Sequence, residues 1–292
     1  MLAWYQGRNR NIPAFLYAAY QGQAALAVML QVWYSVFDEV GQMEFNTFGD
    51  KDNKSMVLIH GMLTPWQIWE DAAEYFSGEY YVVVPELDAH TEDKQTRFCS
   101  VEDEADQVAA YALENLGGKI DVLCGLSMGG KIAAEVAGMP DITVDCLVLD
   151  GAPLTGLPGI FVTFLKQSYT SIVKKSRMRD PKTLESCRKT FLPERYIDSF
   201  LKIADNMDQD SIKAIIDSVF SRYEIQEYRP DMKIMFMHGT KGNETFSQKA
   251  ATKMKEVNPQ TEIRCFEGYS HAQLACFEIG KWIDTVAEFI GE

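Results

Sequence analysis

The amino-acid sequence predicts an α/β fold, a mostly parallel and doubly wound sheet with a helical cap insertion. From Met43 onward, short apolar runs alternate with helical stretches, a pattern typical of parallel strands that are covered on both faces. A long segment without a strand pattern separates the run that ends at Asp150 from the run that begins near Lys233. We therefore expect a core of residues 43–152 and 231–292, with a helical cap at residues 153–230.

Each element is predicted from its own stretch of sequence. Strands are predicted at residues 44–48, 56–60, 80–84, 120–124, 145–149, 233–237 and 261–266. Helices of the core are predicted at residues 101–116, 128–137, 247–257 and 272–290, and helices of the cap at 160–176, 181–190, 193–205 and 209–222.

Residues 1–42 differ from the rest of the chain. An uncharged stretch runs from Asn11 to Phe37 behind two arginines, and its length suits a membrane span. Three glutamines within it oppose a span, because buried amides are costly in lipid. We predict a hydrophobic helical extension, which either contacts a membrane through residues 12–37, packs on the domain or is not native to the fold.

Composition and charge exclude several classes of protein. The net charge is −14 and the pI about 4.8, whereas nucleic-acid binding calls for basic surface. The six cysteines form no C-x-x-C pair, so their spacing supports no metal site, and we expect no cofactor. Cys124, Cys146 and Cys265 lie in apolar runs, so we expect them to be buried free thiols in a reducing cytoplasm. The sequence leaves the oligomeric state open.

The most specific motif is the pentapeptide from Gly125 to Gly129, which contains Ser127. It follows an apolar run and precedes a helical stretch, which is the order of a nucleophile elbow. In such an elbow the serine hydroxyl projects above the sheet, and the residues two before and two after it pack together, so both are glycine. The motif predicts that Ser127 is a nucleophile.

The histidines provide a candidate base. The chain has four, at positions 60, 90, 238 and 271, and a triad of this type runs in the order Ser, acid, His. That order excludes His60 and His90. His271 follows the last strand-like run in a loop, from which its imidazole can reach Ser127, so we predict that His271 is the base.

An oxyanion site is predicted from two backbone N–H groups. One donor comes from the residue after the nucleophile, Met128. The other comes from the loop after an earlier strand, where Gly61 lets the backbone turn and Met62 is the expected donor.

These motifs together resemble the α/β-hydrolase superfamily of esterases, lipases and peptidases. The resemblance covers residues 43–292 and depends on Ile59-His60-Gly61, on residues 84–90, on Gly125–Gly129 and on Gly268–His271. Glu86 and Ala89 stand where the common motif has Asp and Gly. The resemblance implies the α/β-hydrolase fold and two positions for the acid that orients the histidine. Glu244 is the candidate after the strand at 233–237, and Asp150 is the candidate after the strand at 145–149.

The sequence thus predicts a serine hydrolase of the carboxylesterase type. It would cleave a small carboxylic ester, thioester or amide through an acyl-enzyme, without a cofactor, in the cytoplasm. A membrane-associated lipase, anchored by the N-terminal segment, is one alternative. A non-catalytic ligand-binding protein of the same fold is the other.

Overall fold

The computed structural model describes residues 43–291, so the predictions for residues 1–42 lie outside the described residues. Within that range, seven strands form one sheet: β1 (Glu44–Phe48), β2 (Lys54–Ile59), β3 (Tyr80–Glu86), β4 (Lys119–Leu126), β5 (Thr143–Asp150), β6 (Lys233–Gly239) and β7 (Thr261–Phe266). All seven coincide with the predicted runs to within a few residues.

The sheet is parallel except at one edge. Its order is β1-β3-β2-β4-β5-β6-β7, and only β1 runs antiparallel to its neighbour. This confirms the mostly parallel, doubly wound sheet that the sequence predicts. The carboxyl ends of β4, β5 and β6 lie side by side, with Leu126 opposite Asp150 and Asp150 opposite Met237, which is where ligands bind in open sheets of this kind.

Helices cover both faces of the sheet. Those of the core are α1 (Glu70–Phe76), α2 (Val101–Asn115), α3 (Met128–Ala137), α8 (Glu244–Val257), α9 (Gln273–Phe277) and α10 (Ile279–Gly291). The helix predicted at 272–290 is in fact two helices, because Glu278 leaves the helical region with φ −130° and ψ 46°. Helix α8 begins three residues before the predicted start at Ser247.

The segment between β5 and β6 is helical and, among the described residues, contains no strand. It holds α4 (Gly159–Arg177), α5 (Pro181–Thr190), α6 (Ile197–Asn206) and α7 (Gln209–Val219). The first residues of α4 expose large apolar side chains, since Ile160 is 79% and Phe164 63% accessible. We refer to residues 153–230 as the cap segment.

The core lies on both faces of the central strands. Leu58, Leu123, Leu149 and Phe236 are fully buried, and each contributes about 1.5–3 kcal/mol by leaving water. Two tryptophans from opposite ends of the chain, Trp69 and Trp282, pack with ring centroids 4.5 Å apart. This burial holds the strand ends, and therefore the loops that follow them, in fixed positions.

One buried lysine joins the core to the cap segment. Lys131 on α3 donates hydrogen bonds to Ser218 O at 2.7 Å, Val219 O at 3.1 Å and Ser221 Oγ at 2.9 Å. The carbonyls at this end of α7 have no partner within the helix, and a cation is favoured at a helix C-terminus. Burial lowers the pKa of Lys131 to about 8.

Replacing Lys131 by methionine should therefore destabilise the protein by about 1.5–3 kcal/mol, because buried carbonyl groups lose a charged donor. Chemical denaturation followed by circular dichroism measures this difference. Lys213→Met is the matched control, since Lys213 lies exposed on α7 and only pairs with Asp210. Equal denaturation midpoints for the two variants would show that Lys131 does not hold the cap segment.

Candidate functional site

Ser127 lies in a sharp turn between β4 and α3. Its φ of 52° and ψ of −114° are unusual for a residue other than glycine. The turn is held by its backbone: Ser127 N–H donates to Asp150 O at 2.7 Å, and Ser127 O accepts from Gly130 N–H at 3.0 Å. The hydroxyl therefore stands at the carboxyl end of the sheet. This is the position that the nucleophile-elbow motif predicts for it.

The two glycines of the motif lie where no side chain fits. A Cβ atom on Gly125 would lie 2.2 Å from Gly129 O. A Cβ atom on Gly129 would lie 2.4 Å from Ile59 O and 2.5 Å from His60 O. All of these neighbours are backbone atoms, so the close approach of β4, α3 and the end of β2 requires glycine at both positions.

His271 lies beside Ser127, in the loop between β7 and α9. The distance from its Nε2 to Ser127 Oγ is 2.9 Å, and the distance from its Nδ1 to Glu244 Oε1 is 2.5 Å. Because a carboxylate can only accept, Nδ1–H donates to Glu244 and Nε2 is left to accept from the serine hydroxyl. The imidazole packs against Gly151, where a Cβ would lie 2.8 Å from His271 Cε1.

Glu244 is the first residue of α8 and is buried. Its other oxygen, Oε2, accepts from Gly239 N–H at 2.7 Å, and Ser247 Oγ donates to Oε1 at 3.3 Å. Burial opposes ionisation, but the hydrogen bonds and the charge of His271 outweigh it, so the pKa of Glu244 lies below its ordinary value. The sequence predicts a loop position for Glu244, whereas the turn at Gly242, with φ 64°, places it at the start of a helix.

Asp150, the other candidate acid, ends β5 and makes no hydrogen bond to His271. Its side chain is buried, and Oδ2 has no hydrogen-bond partner among the described residues. Burial above all, and then the negative charge of Glu244, raise the pKa of Asp150 to about 7. Of the two carboxyl groups that the sequence leaves open, that of Glu244 is the one hydrogen-bonded to His271 in the described residues.

The loop after β2, which contains Met62, and the start of α3, which contains Met128, both lie next to Ser127. Met128 is the first residue of α3, so its N–H has no partner within the helix. Gly61, which precedes Met62, lies against the serine, since a Cβ on Gly61 would be 3.5 Å from Ser127 Cβ. The loop after β2 therefore passes next to the hydroxyl.

Two histidines that the sequence order excludes as bases hold this loop. His90 Nε2 accepts from Leu63 N–H at 2.9 Å. His60 Nδ1 lies 3.0 Å from Gly61 O and donates to it, while its Nε2 accepts from Leu87 N–H at 3.2 Å. Both rings are fully buried. Burial lowers the pKa of His60 to about 3, with the neighbouring His90 as a second cause, and lowers that of His90 to about 4, so both are neutral acceptors.

Neither a metal-binding cluster nor a helix able to span a membrane is found among the described residues. Across residues 43–291, no group of three or more His, Cys, Asp or Glu side chains is placed to hold a metal ion. In the same range, no helix has the length and apolar character needed to cross a membrane. The six cysteines are free thiols; Cys124 and Cys146 are buried as predicted, whereas Cys265 is exposed, so its prediction is wrong. Ser127, His271 and Glu244 place a hydroxyl, an imidazole and a carboxylate in series, and such a series can move a proton from the hydroxyl to the imidazole.

Comparisons with known proteins agree with this architecture. Residues 56–278 match the model of the alpha/beta hydrolase family, and no curated protein matches the chain. Among solved structures, an alpha/beta hydrolase family protein from Desulfitobacterium hafniense has a TM-score of 0.67 at 19% identity, covering 84% of this chain and 99% of its own.

Two further similar structures are esterases by their descriptions. A structure from work on carboxylesterases of the thaumarchaeon Nitrososphaera gargenis has a TM-score of 0.66 at 16% identity, over 85% of this chain and 94% of its own. A thermophilic esterase from Thermogutta terrifontis has a TM-score of 0.64 at 19% identity, over 85% and 92%. At these identities the likeness shows the fold alone. With its sheet order, its turn at Ser127 and the match over residues 56–278, the chain belongs to the alpha/beta hydrolase family.

Proposed function

We propose that the protein is a serine hydrolase that cleaves small carboxylic esters, thioesters or amides through an acyl-enzyme. The observation that carries the proposal is the series from Ser127 Oγ to His271 Nε2, at 2.9 Å, and from His271 Nδ1 to Glu244, at 2.5 Å. Esters are the favoured class, because an alkoxide leaves more easily than an amine. The descriptions of two similar structures as esterases support the same class.

Each residue then has a defined role. His271 Nε2 takes the proton of Ser127 as Oγ attacks the carbonyl carbon, and the carbonyl electron pair moves to oxygen. The N–H groups of Met62 and Met128 donate to that oxyanion. Glu244 stabilises the imidazolium and fixes its tautomer. The oxyanion collapses, the C–O bond to the alcohol breaks, and His271 returns the proton to the departing oxygen.

Water completes the cycle. His271, again neutral, takes a proton from water while the water oxygen attacks the acyl carbon. The second oxyanion collapses, the bond to Ser127 Oγ breaks, and the serine recovers its proton from His271. The balance of the two steps is one ester and one water converted to one acid and one alcohol.

A fluorophosphonate probe tests the proposal directly. The wild-type protein should be labelled at Ser127, as seen by mass spectrometry of its peptides, and should hydrolyse p-nitrophenyl acetate. A series of p-nitrophenyl esters from acetate to decanoate then measures the preferred acyl length. Freshly purified, folded protein that neither reacts with the probe nor turns over any of these esters would favour a binding protein instead.

A substitution at the neutral His90 provides a second test of the proposed mechanism, because His90 holds the loop that contains the proposed oxyanion donor Met62. His90→Leu removes the acceptor for Leu63 N–H, so the loop should lose its fixed position beside Ser127. We expect kcat to fall by about 10–100-fold with little change in KM, since a misplaced oxyanion donor acts on the transition state. His90→Gln, whose amide oxygen can accept, should recover most of that loss. Equal losses in the two variants, measured on folded protein, would contradict a role in holding the loop.

A further inference from the structure

One side of helix α4 is exposed along its whole length. The helix packs on α5, α6 and α7 through its other side. Residues at helical spacing on the open side are all exposed, and they are Ile160, Phe164, Gln167, Ser171, Lys174, Lys175 and, directly after the helix, Met178. At 1.5 Å a residue, this row is about 27 Å long. We call these seven residues the α4 face.

The amino-terminal part of the α4 face is apolar. Beside Ile160 and Phe164, the ring of Phe161 is 56% exposed, and Met178 at the other end is 70% exposed. Of the eight large apolar side chains that are exposed within residues 43–291, these are four. Single exposed apolar side chains are ordinary, whereas several that share one patch mark an interaction site.

The same part of the cap segment is basic, although the protein is acidic. Residues 159–190, which contain α4 and α5, have eight Lys and Arg against two Asp and Glu, whereas the whole chain has 28 against 42. Helix α4 itself contains no Asp or Glu. This stretch therefore has a positive charge that is opposite in sign to the net charge of the chain.

Three lysines of this stretch have no acidic partner. Four other basic side chains form the ion pairs Lys166–Asp217, Arg179–Asp205, Arg188–Glu194 and Lys189–Glu185. Arg177 donates to carbonyl groups at the end of α6. Within residues 43–291, no carboxylate lies at ion-pair distance from Lys174, Lys175 or Lys182, and the adjacent Asp180 caps α5. These lysines can therefore bind anions outside the chain.

The apolar and basic parts of the α4 face need one common explanation. Lysines in the last turn also stabilise a helix through its dipole, but the dipole gives no reason for exposed phenylalanine side chains at the other end. An acidic protein would match the charge alone. An anionic bilayer matches both parts, because it takes lysines among its headgroups and apolar side chains at the boundary of its acyl chains.

We propose that the α4 face docks on the surface of an anionic lipid bilayer. Ile160, Phe161 and Phe164 enter the acyl boundary, while Lys174 and Lys175 bind headgroup phosphates. Docking of this kind is peripheral and requires no membrane-spanning helix. It also fixes an orientation, because an anionic surface attracts residues 159–190 and repels the acidic remainder of the chain.

Flotation of the full-length protein with lipid vesicles tests the proposal. The vesicles contain phosphatidylcholine alone, or phosphatidylcholine with about one-third phosphatidylglycerol. The wild-type protein should float with the anionic vesicles and bind the neutral ones at least about tenfold more weakly. Salt at about 1 M, where the Debye length is about 3 Å, should release most of the bound protein.

A pair of lysine variants tests the charge. Lys174→Gln/Lys175→Gln should bind anionic vesicles about 25-fold more weakly, since each lysine near the surface contributes about fivefold. Lys249→Gln/Lys253→Gln is the matched control, because it removes the same charge from exposed positions on α8. The control should change binding by no more than about twofold. Equal binding of the two variants would overturn the proposal, because the contact would then lie elsewhere in the chain.

Substitutions at Phe164 test the apolar contact. Phe164→Ser should weaken binding to anionic vesicles by about tenfold, because the ring no longer leaves water. Tyr75→Ser, at another exposed aromatic position, on α1, should not. In Phe164→Trp, the emission of the added indole, taken as the difference from wild type, should shift to the blue on anionic vesicles. An unshifted emission from bound protein would overturn insertion of the α4 face.

Two further outcomes are decisive. Wild-type protein that binds neither kind of vesicle overturns the proposal. If that protein instead binds poly-glutamate in a salt-dependent way that the Lys174→Gln/Lys175→Gln variant loses, the α4 face is a site for an acidic protein. Vesicle binding does not require ester hydrolysis, so protein that binds vesicles without reacting with fluorophosphonate would contradict only the proposed function.

Discussion

Replacing Ser127 by alanine should lower kcat for ester hydrolysis by about 10⁶-fold and leave the fold intact. In the proposed mechanism the hydroxyl forms the covalent intermediate, and without it His271 Nε2, 2.9 Å away in the wild-type protein, has no proton to accept. Alanine adopts a φ of 52° about as readily as serine does, so the turn should survive. The measurement is hydrolysis of p-nitrophenyl acetate, with circular dichroism to check the fold.

Ser171→Ala is the control for this variant. Ser171 lies exposed on α4, and its replacement should change neither the rate nor the labelling by fluorophosphonate. An Ser127→Ala protein that keeps more than about one-hundredth of the wild-type rate would show that the hydrolysis is carried by another group. Mass spectrometry of the labelled wild-type protein would then identify that group.

Replacing Gly129 by alanine should abolish the folded protein or destabilise it by about 4 kcal/mol or more. The added Cβ would lie 2.4 Å from Ile59 O and 2.5 Å from His60 O. Ile59 ends β2 and His60 follows it directly, and β2 is buried at the centre of the sheet between β3 and β4. Neither the strand nor α3 can retreat without opening the core, and interiors packed at crystal density give little room.

Gly280→Ala is the matched control for this clash. Gly280 lies in α10, and a Cβ there would meet nothing within 4 Å. Because alanine is the better helix former, stability should stay unchanged or rise by up to about 1 kcal/mol. Urea denaturation measures both variants. Equal stability of Gly129→Ala and Gly280→Ala would contradict the close packing of α3 on β2.

The strands of the sheet could be predicted well from the sequence, because the pattern that marks each strand lies within a few consecutive residues. Each strand is an apolar run bounded by turn residues, and the Gly125–Gly129 pentapeptide predicts the strand–turn–helix that surrounds Ser127. The hydrogen bonds between carboxylate and histidine are not local. Asp150 ends β5 and Glu244 lies five residues after the end of the adjacent β6, so which of the two contacts His271 depends on how the loops after these strands fold.

The sequence does not reveal the role of the buried histidines either, because their hydrogen bonds also join residues that are distant in the chain. His60 and His90 each accept a hydrogen bond from a backbone N–H group that is 27 residues away in the chain. Triad order removes both from the list of candidate bases, but it says nothing of what they bind. A pairing of this kind becomes visible only when β2 and the end of β3 are already placed side by side.

The 144 residues that separate Ser127 from its histidine have a consequence for synthesis. A chain leaves the ribosome amino end first, so the strand and helix around the serine emerge well before β6, α8 and the loop of His271. Until those last elements dock, the serine hydroxyl has no imidazole beside it. If the proposed function is right, the unfinished polypeptide is therefore unable to attack esters, and its reactivity arises only when the carboxyl-terminal part of the sheet joins the rest.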